Sequence, residues 1–222
     1  MGGALQIVIV TTPTWDATTG TLHRFEKRAG ADAWVPVGAE VPVVVGRTGV
    51  ALGIGFEDLD RNGPTKREGD GKAPAGIFPL DTAFGFASPG AASGVHLPYV
   101  QLTPGSDCVD DTASAHYNTV VDKDHVPRVD WTSAEHMRQI AEYKLGVIVG
   151  YNAPRPHRGR GSCIFLHIWN GPQSHTAGCT ALDESELRRL VDWLDPARQP
   201  MLVQFPSAVY ERVRSRWSLP PV

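Results

Sequence analysis

The chain is short of several things, and each shortage excludes a class of protein. No run approaches the roughly 20 consecutive apolar residues that a membrane-spanning helix needs. Cysteine is scarce, with three in 222 residues. An odd number cannot all pair, so a full disulfide framework is excluded and at least one thiol is left over. Basic residues are not in excess: 21 Lys and Arg stand against 24 Asp and Glu, a net charge of −3. The electrostatic footprint of a nucleic-acid binder is therefore absent, and no nucleic-acid partner is expected. Internal repeats are absent as well. The N-terminal run MGGALQIVIVTT carries no Lys or Arg before its apolar part, so it does not read as a secretory signal. A cytoplasmic protein, or a mature form with its signal removed, is the expectation from that end alone.

What is present describes a β-rich chain. Apolar residues make up 41% of it, enough to fill a real core. Gly and Pro, at 23 and 18 residues, exceed their usual share and imply turns and short strands. Short β-branched stretches bounded by Gly, Pro, Asn or Asp read as strands at Ala4–Thr12, Thr19–Arg28, Trp34–Gly49, Val147–Tyr151, Cys163–Trp169 and Met201–Pro206. Two segments read as helices. In Asp183–Asp195, Leu187, Leu190, Val191 and Leu194 share a face, Asp183 caps and Pro196 stops. In Thr132–Leu145, Met137, Ile140 and Ala141 share a face, Thr132 and Glu135 read as a capping box, and Gly146 as the stop. The Gly/Pro-rich text between Gly53 and Leu97 reads as a surface excursion of one domain rather than as a linker.

The residues that can do chemistry crowd into 161–187. A strand carries His167, a polar loop follows, and Thr176-Ala177-Gly178-Cys179 precedes the Asp183 helix. A thiol is a good nucleophile only as thiolate, and a nearby imidazole can take or stabilise its proton. A strand, loop and turn in that order can bring the two side chains to one face. Gly178 leaves room for a substrate carbonyl, and N–H groups around Cys179 can form an oxyanion hole. By spacing alone, a buried structural Cys beside a strand His fits better.

The surrounding text is more specific. Ile164-Phe165-Leu166-His167, Thr176-Ala177-Gly178-Cys179-Thr180, Trp193-Leu194-Asp195-Pro196 and Pro74-Ala75-Gly76-Ile77-Phe78 resemble the L,D-transpeptidase catalytic (YkuD-like) family. The flanks Ala83–Ala87, Asp110–Asn118 and Tyr143–Asn152 resemble the same branch, so the likeness runs over about 66–206. The resemblance implies a single mainly β domain over 1–222, sandwich-like or barrel-like, with a few helices. It implies a cysteine acyltransferase, L,D-transpeptidase or L,D-carboxypeptidase, acting on peptidoglycan stem peptides in the periplasm or cell envelope, without cofactor and as a monomer. Cys179 would be the nucleophile and His167 the base. Gly178 and Cys179 would give oxyanion donors, and Thr176 would hold the turn. A cysteine hydrolase of another amide and a non-catalytic wall-binding module are the alternatives.

Two positions depart from the family pattern. The family commonly has His where Ala177 stands, and Arg or Asn where Ala181 stands. The missing cation is sought among Arg67, Lys72, Arg155, Arg158 and Arg160. Lys72, Trp169, Tyr117 and Asn118 are taken as candidate substrate-binding residues. A zinc site of His167, His175 and Cys179 lacks a convincing fourth ligand, so no metal is expected. Cys108 and Cys163 either pair in an oxidising compartment, leaving Cys179 free, or are two small buried residues.

Overall fold

Val, Ile and Thr fit a pleated, half-buried surface, and the β-branched stretches of this chain become strands for that reason. The computed structural model describes residues 3–28, 30 and 33–222. The first strands are β1 (Gln6–Thr12), β2 (Thr19–Glu26), β3 (Val35–Pro36), β4 (Val41–Val44), β5 (Val50–Leu52), β6 (Ala73–Gly85) and β7 (Tyr99–Gln101). Then come β8 (Ser106–Val109), β9 (Val120–Asp122), β10 (Ala134–His136), β11 (Leu145–Val149), β12 (Phe165–Ile168), β13 (Thr180–Leu182) and β14 (Met201–Pro206). Two α-helices, α1 (Glu184–Trp193) and α2 (Ser207–Val213), lie near the C-terminus.

Eight strands close into a ring in the order β1-β14-β6-β11-β12-β13-β4-β2, with β2 pairing back onto β1. The pairs β1/β14 and β12/β13 are parallel and the other neighbours antiparallel, so the barrel is mixed. Closure satisfies the backbone groups that an open sheet leaves at its edges. Each of the eight strands sends side chains into one buried cluster, among them Val8, Leu22, Val43, Leu80, Val147 and Leu166. That cluster is the barrel interior. The alternate residues of β1, Ile7 and Ile9, pack outside with Val209 and Tyr210 of α2. The helix expected at Asp183–Asp195 is α1. Asp183 accepts the Ser185 N–H at 2.8 Å, and Leu187, Leu190 and Val191 join the interior cluster.

A smaller sheet, β10-β8-β9, roofs the outer face of β12. Under it pack Phe84, Cys108, Met137, Tyr143, Phe165 and Cys179. A Cys108–Cys163 disulfide fastens this roof to the chain just before β12.

Two expectations are corrected here. The segment 132–145 is not an α-helix: it is β10 followed by 3₁₀ turns at Met137–Gln139 and Ala141–Lys144. Met137, Ile140 and Tyr143 recur every third residue, which is the 3₁₀ period and not the α one. The Thr132 hydroxyl and N–H are both taken by Asp111 Oδ2, at 2.9 and 2.8 Å, so Thr132 is unavailable as an N-cap. The Gly/Pro-rich text after Gly53 is not only a surface excursion. It contains β6, thirteen residues long and a member of the ring.

Candidate active site

Strand alternation aims the site. On β12, Leu166 and Ile168 face the interior, which leaves Phe165 and His167 facing the roof. Strand β13 runs parallel to β12 with Ala181 opposite His167. Cys179 lies two residues earlier and therefore on the same outward face. The Phe165 N–H reaches its sulfur at 3.3 Å, and the thiol faces the Cys163 carbonyl at 3.4 Å.

The turn before Cys179 is held by Thr176. Its hydroxyl donates to the Cys179 carbonyl at 2.6 Å and accepts the Gly178 N–H at 3.2 Å. Thr176 is itself fixed by backbone bonds to Val45 and Arg47 at 3.1 and 2.9 Å. A Cβ on Gly178 would lie 3.1 Å from the Lys72 carbonyl oxygen, so the turn sits against the β6 approach with little room. Among the described residues no acceptor meets the Cys179 N–H.

A cavity of about 280 Å³ opens above these residues. His167 Nδ1 lies 2.7 Å from the Ile168 carbonyl, which can only accept, so Nδ1 carries the proton and Nε2 of the neutral ring is left basic. The ring packs edge to face on Tyr143, 5.1 Å between centroids. Burial lowers the pKa of His167, opposed in part by the Ile168 carbonyl and Glu142. Burial and then the Glu135 charge raise that of Cys179, opposed by the Phe165 N–H, Tyr143 and Lys66. At neutral pH the two groups rest as thiol and imidazole, not as an ion pair.

Of the residues singled out in the sequence, Cys179, His167, Gly178, Thr176 and Trp169 line this cavity together, with His175 and Ala181. Gly178 departs from its expected part as an oxyanion donor, because Thr176 holds its N–H. Asn118, Tyr117 and Lys72 do not line the cavity. Asn118 is a clamp: its Nδ2 donates to the Tyr151 and Asn152 carbonyls at 3.0 and 2.9 Å, and its Oδ1 accepts the Cys163 N–H at 2.9 Å. Tyr117 is buried, with its hydroxyl 2.5 Å from Glu68 Oε2. Lys72 turns away to Asp16 at 3.1 Å and to the Thr48 carbonyl.

No protein-family profile matches the chain, and no curated protein does. A similar solved structure is the helical cell shape determining protein Pgp2 from Campylobacter jejuni, with a TM-score of 0.45 and 15% identity. The likeness covers 92% of this chain and 49% of that one, so this chain spans about half the length of the structure it matches.

Arg67, Lys72, Arg155, Arg158 and Arg160 are all absent from the cavity wall; the cations there are Arg47 and Lys66. Arg160 is engaged with Glu57 at 2.6 Å. Lys66 is buried and tied to Asp70 and the Arg67 carbonyl, both at 2.6 Å, whereas Arg47 is exposed on the rim. Sequence reading also missed Glu135 and Tyr143. Glu135 falls in the expected capping box, and Tyr143 inside the expected helix 132–145 and the family-like stretch Tyr143–Asn152. Among the described residues no helix is long and apolar enough to cross a membrane.

Proposed function

We propose that this chain is a cysteine acyltransferase of the L,D-transpeptidase type, acting on peptidoglycan stem peptides. The observation that carries the reading is the convergence of Cys179, His167 and the Thr176-clamped turn on one cavity, with the other two cysteines locked in a disulfide. The Cys179 sulfur attacks the carbonyl of the scissile amide while Nε2 of His167 takes the thiol proton. The Cys179 N–H faces the developing oxyanion. The C–N bond then breaks, the amine leaves with the proton from His167, and a thioester remains. An amine of a second stem, or water, attacks it and frees the thiol. Arg47, the exposed cation of the cavity lining, is the one free to meet a substrate carboxylate, the part left open by Ala181. The Cys108–Cys163 disulfide supports an oxidising compartment such as the cell envelope.

The test is incubation with diaminopimelate-containing tetrapeptides and mass analysis of the products. Release of D-Ala with a cross-linked or shortened product is expected, and Cys179→Ser abolishes it because a hydroxyl does not replace a thiolate. A carbapenem should add once per chain to the wild type and not to Cys179→Ser. A folded protein whose Cys179 alkylates freely with iodoacetamide, yet neither turns over the peptide nor takes the carbapenem, overturns the reading.

A further inference from the structure

Two residues before β12, the chain adopts a conformation that its side chain does not favour. Cys163 has φ 54°, in the left-handed region that a residue with a Cβ seldom enters. Three bonds leave this residue in three directions. Its sulfur is joined to Cys108, its N–H donates to Asn118 Oδ1 at 2.9 Å, and its carbonyl accepts the Cys179 thiol at 3.4 Å. The Cys179 sulfur in turn accepts the Phe165 N–H at 3.3 Å. Both of these bonds to Cys179 come from the backbone of 163–165.

The conformation at Cys163 is held from outside. Asn118 and Asn152 are left-handed too, with φ of 62° and 54°, and Asn enters that region more readily than Cys. Asn118 Nδ2 donates to the Tyr151 and Asn152 carbonyls at 3.0 and 2.9 Å. Asn152 fixes the next loop by itself: its Nδ2 donates to the Gly161 and His157 carbonyls at 2.8 and 3.1 Å, and its Oδ1 accepts the His157 N–H at 2.7 Å. A strained backbone persists only where its surroundings over-determine it, and such residues collect at working sites. What the restraint accomplishes at Cys163 is the direction of one carbonyl. With its N–H on Asn118 and its side chain on Cys108, its C=O is aimed at the free thiol.

We propose that Asn118 is a positioning residue for the nucleophile, acting through Cys163, whose carbonyl it holds in place to park the Cys179 S–H before substrate arrives. No covalent bond breaks in the parked state. A turn about the Cβ–Sγ bond takes the hydrogen from the carbonyl to Nε2 of His167, and the transfer then proceeds as in the reaction above. Once the proton has gone, the sulfur keeps the Phe165 N–H but faces a carbonyl oxygen that repels it. The thiolate is thereby pressed off its resting place toward the substrate carbonyl. Asn118 touches neither substrate nor sulfur. It sets where the sulfur waits.

The inference rests on Cys179 being the nucleophile, but its main readout needs no peptide. Cys179 is the free cysteine and burial keeps it protonated at neutral pH, so the full chain with its disulfide intact gives one Raman S–H stretching band. A hydrogen-bonded S–H lies at lower wavenumber than a free one, and the wild-type band should lie low. Asn118→Gly keeps the left-handed backbone accessible and removes only the amide. It should move the band up to the free-thiol position. Asn152→Gly removes the neighbouring clamp, whose side chain does not bond Cys163, and should leave the band in place. Asn118→Asp keeps an acceptor for the Cys163 N–H and should leave it low. Tetrapeptide turnover should fall about tenfold or more in Asn118→Gly, and far less in Asn152→Gly.

A wild-type band at the free-thiol position overturns the inference. So does a band unmoved in Asn118→Gly, or moved equally in both glycine variants, which is what a merely structural part would give. Unaltered turnover in Asn118→Gly, where the wild type turns over the peptide, overturns it as well. Should Asn118→Gly fail to fold, Asn118→Asp and the wild type decide: low bands in both support the inference, and a free-thiol band in either overturns it. Bands that behave as expected without any turnover remove only the peptidoglycan reading. Turnover with an unbonded thiol removes only the positioning role.

Discussion

The barrel and its roof are stabilised by different physics. In the barrel, alternate residues of eight strands fill one apolar interior, and hydrogen bonding is mostly backbone to backbone. In the roof, residues 103–144, strands are three or four residues long and the chain is organised by aspartates. Asp122 accepts from the Thr103 hydroxyl at 2.7 Å, Asp107 from the Trp131 indole at 3.0 Å, and Asp130 from the Ser114 hydroxyl at 2.6 Å. Strands β8 and β10 could not be stable alone at such length. One disulfide and a shared apolar layer hold the roof down. The candidate site lies at the seam, with the free thiol of Cys179 on the barrel side and the Tyr143–Glu135 hydrogen bond on the roof side. The difference teaches that the sulfur sits where backbone pairing closes the structure, and Glu135, the largest charge acting on it, where side chains do.

That contrast can be broken by experiment. The largest stability effect should come from the barrel: Leu166→Ala should cost about 2–5 kcal/mol in chemical denaturation, the usual range for emptying a buried leucine site. Next is the disulfide, which closes a 55-residue separation. Replacing Cys108 and Cys163 together by Ala should cost about 2–4 kcal/mol. Hydrogen exchange should rise in 103–144 while the barrel strands keep their protection. Uniform loss of protection would mean that barrel and roof are one cooperative unit.

A pH effect follows in size. Glu135 has a native pKa near 7 against an ordinary 4.5, so the folded state holds the extra proton. Between those values the native protein binds more protons than the unfolded chain, and stability falls as pH rises through that window. Glu135→Gln should flatten this part of the curve, and an unchanged curve would remove Glu135 as its source. The smallest effect should be Trp131→Phe, which keeps the ring but loses the bond to Asp107. About 0.5–1.5 kcal/mol is expected in the melting or denaturant midpoint, with barrel exchange unaffected.

The same division governs what was legible in the sequence. Strands β1 and β12 announce themselves as short apolar runs bounded by turn residues, because both of their faces are buried. Helix α1 was legible through its cap and its apolar stripe. Strand β6 was hidden because its prolines and glycines, among them Pro74, Gly76 and Pro79, imitate loop composition. The roof was misread because Met137, Ile140 and Tyr143 follow a spacing close to the α-helical one, while Asp111, distant in sequence, takes the Thr132 groups. In the candidate site, Thr176, Gly178, Cys179 and His167 stand in a short stretch, so their meeting at one cavity was legible. Asn118, Tyr117 and Lys72 lie off the cavity wall, and no local pattern tells a clamp from a cleft residue. Glu135, Tyr143 and Arg47 reach the cavity only through tertiary packing, and nothing near them in sequence says so.

The parallel pairing of β1 with β14 carries a consequence for biosynthesis. Ile7 lies beside Met201 and Thr12 beside Pro206. A growing chain therefore holds one side of β1 unpaired until almost the whole barrel has been translated, whatever its first hairpin with β2 does. Contacts so distant along the chain close slowly, and an unpaired strand edge invites other partners in the meantime. The barrel is a structure that clasps last at its two ends, and a nascent chain stays open, threadable and dependent on protection until β14 arrives.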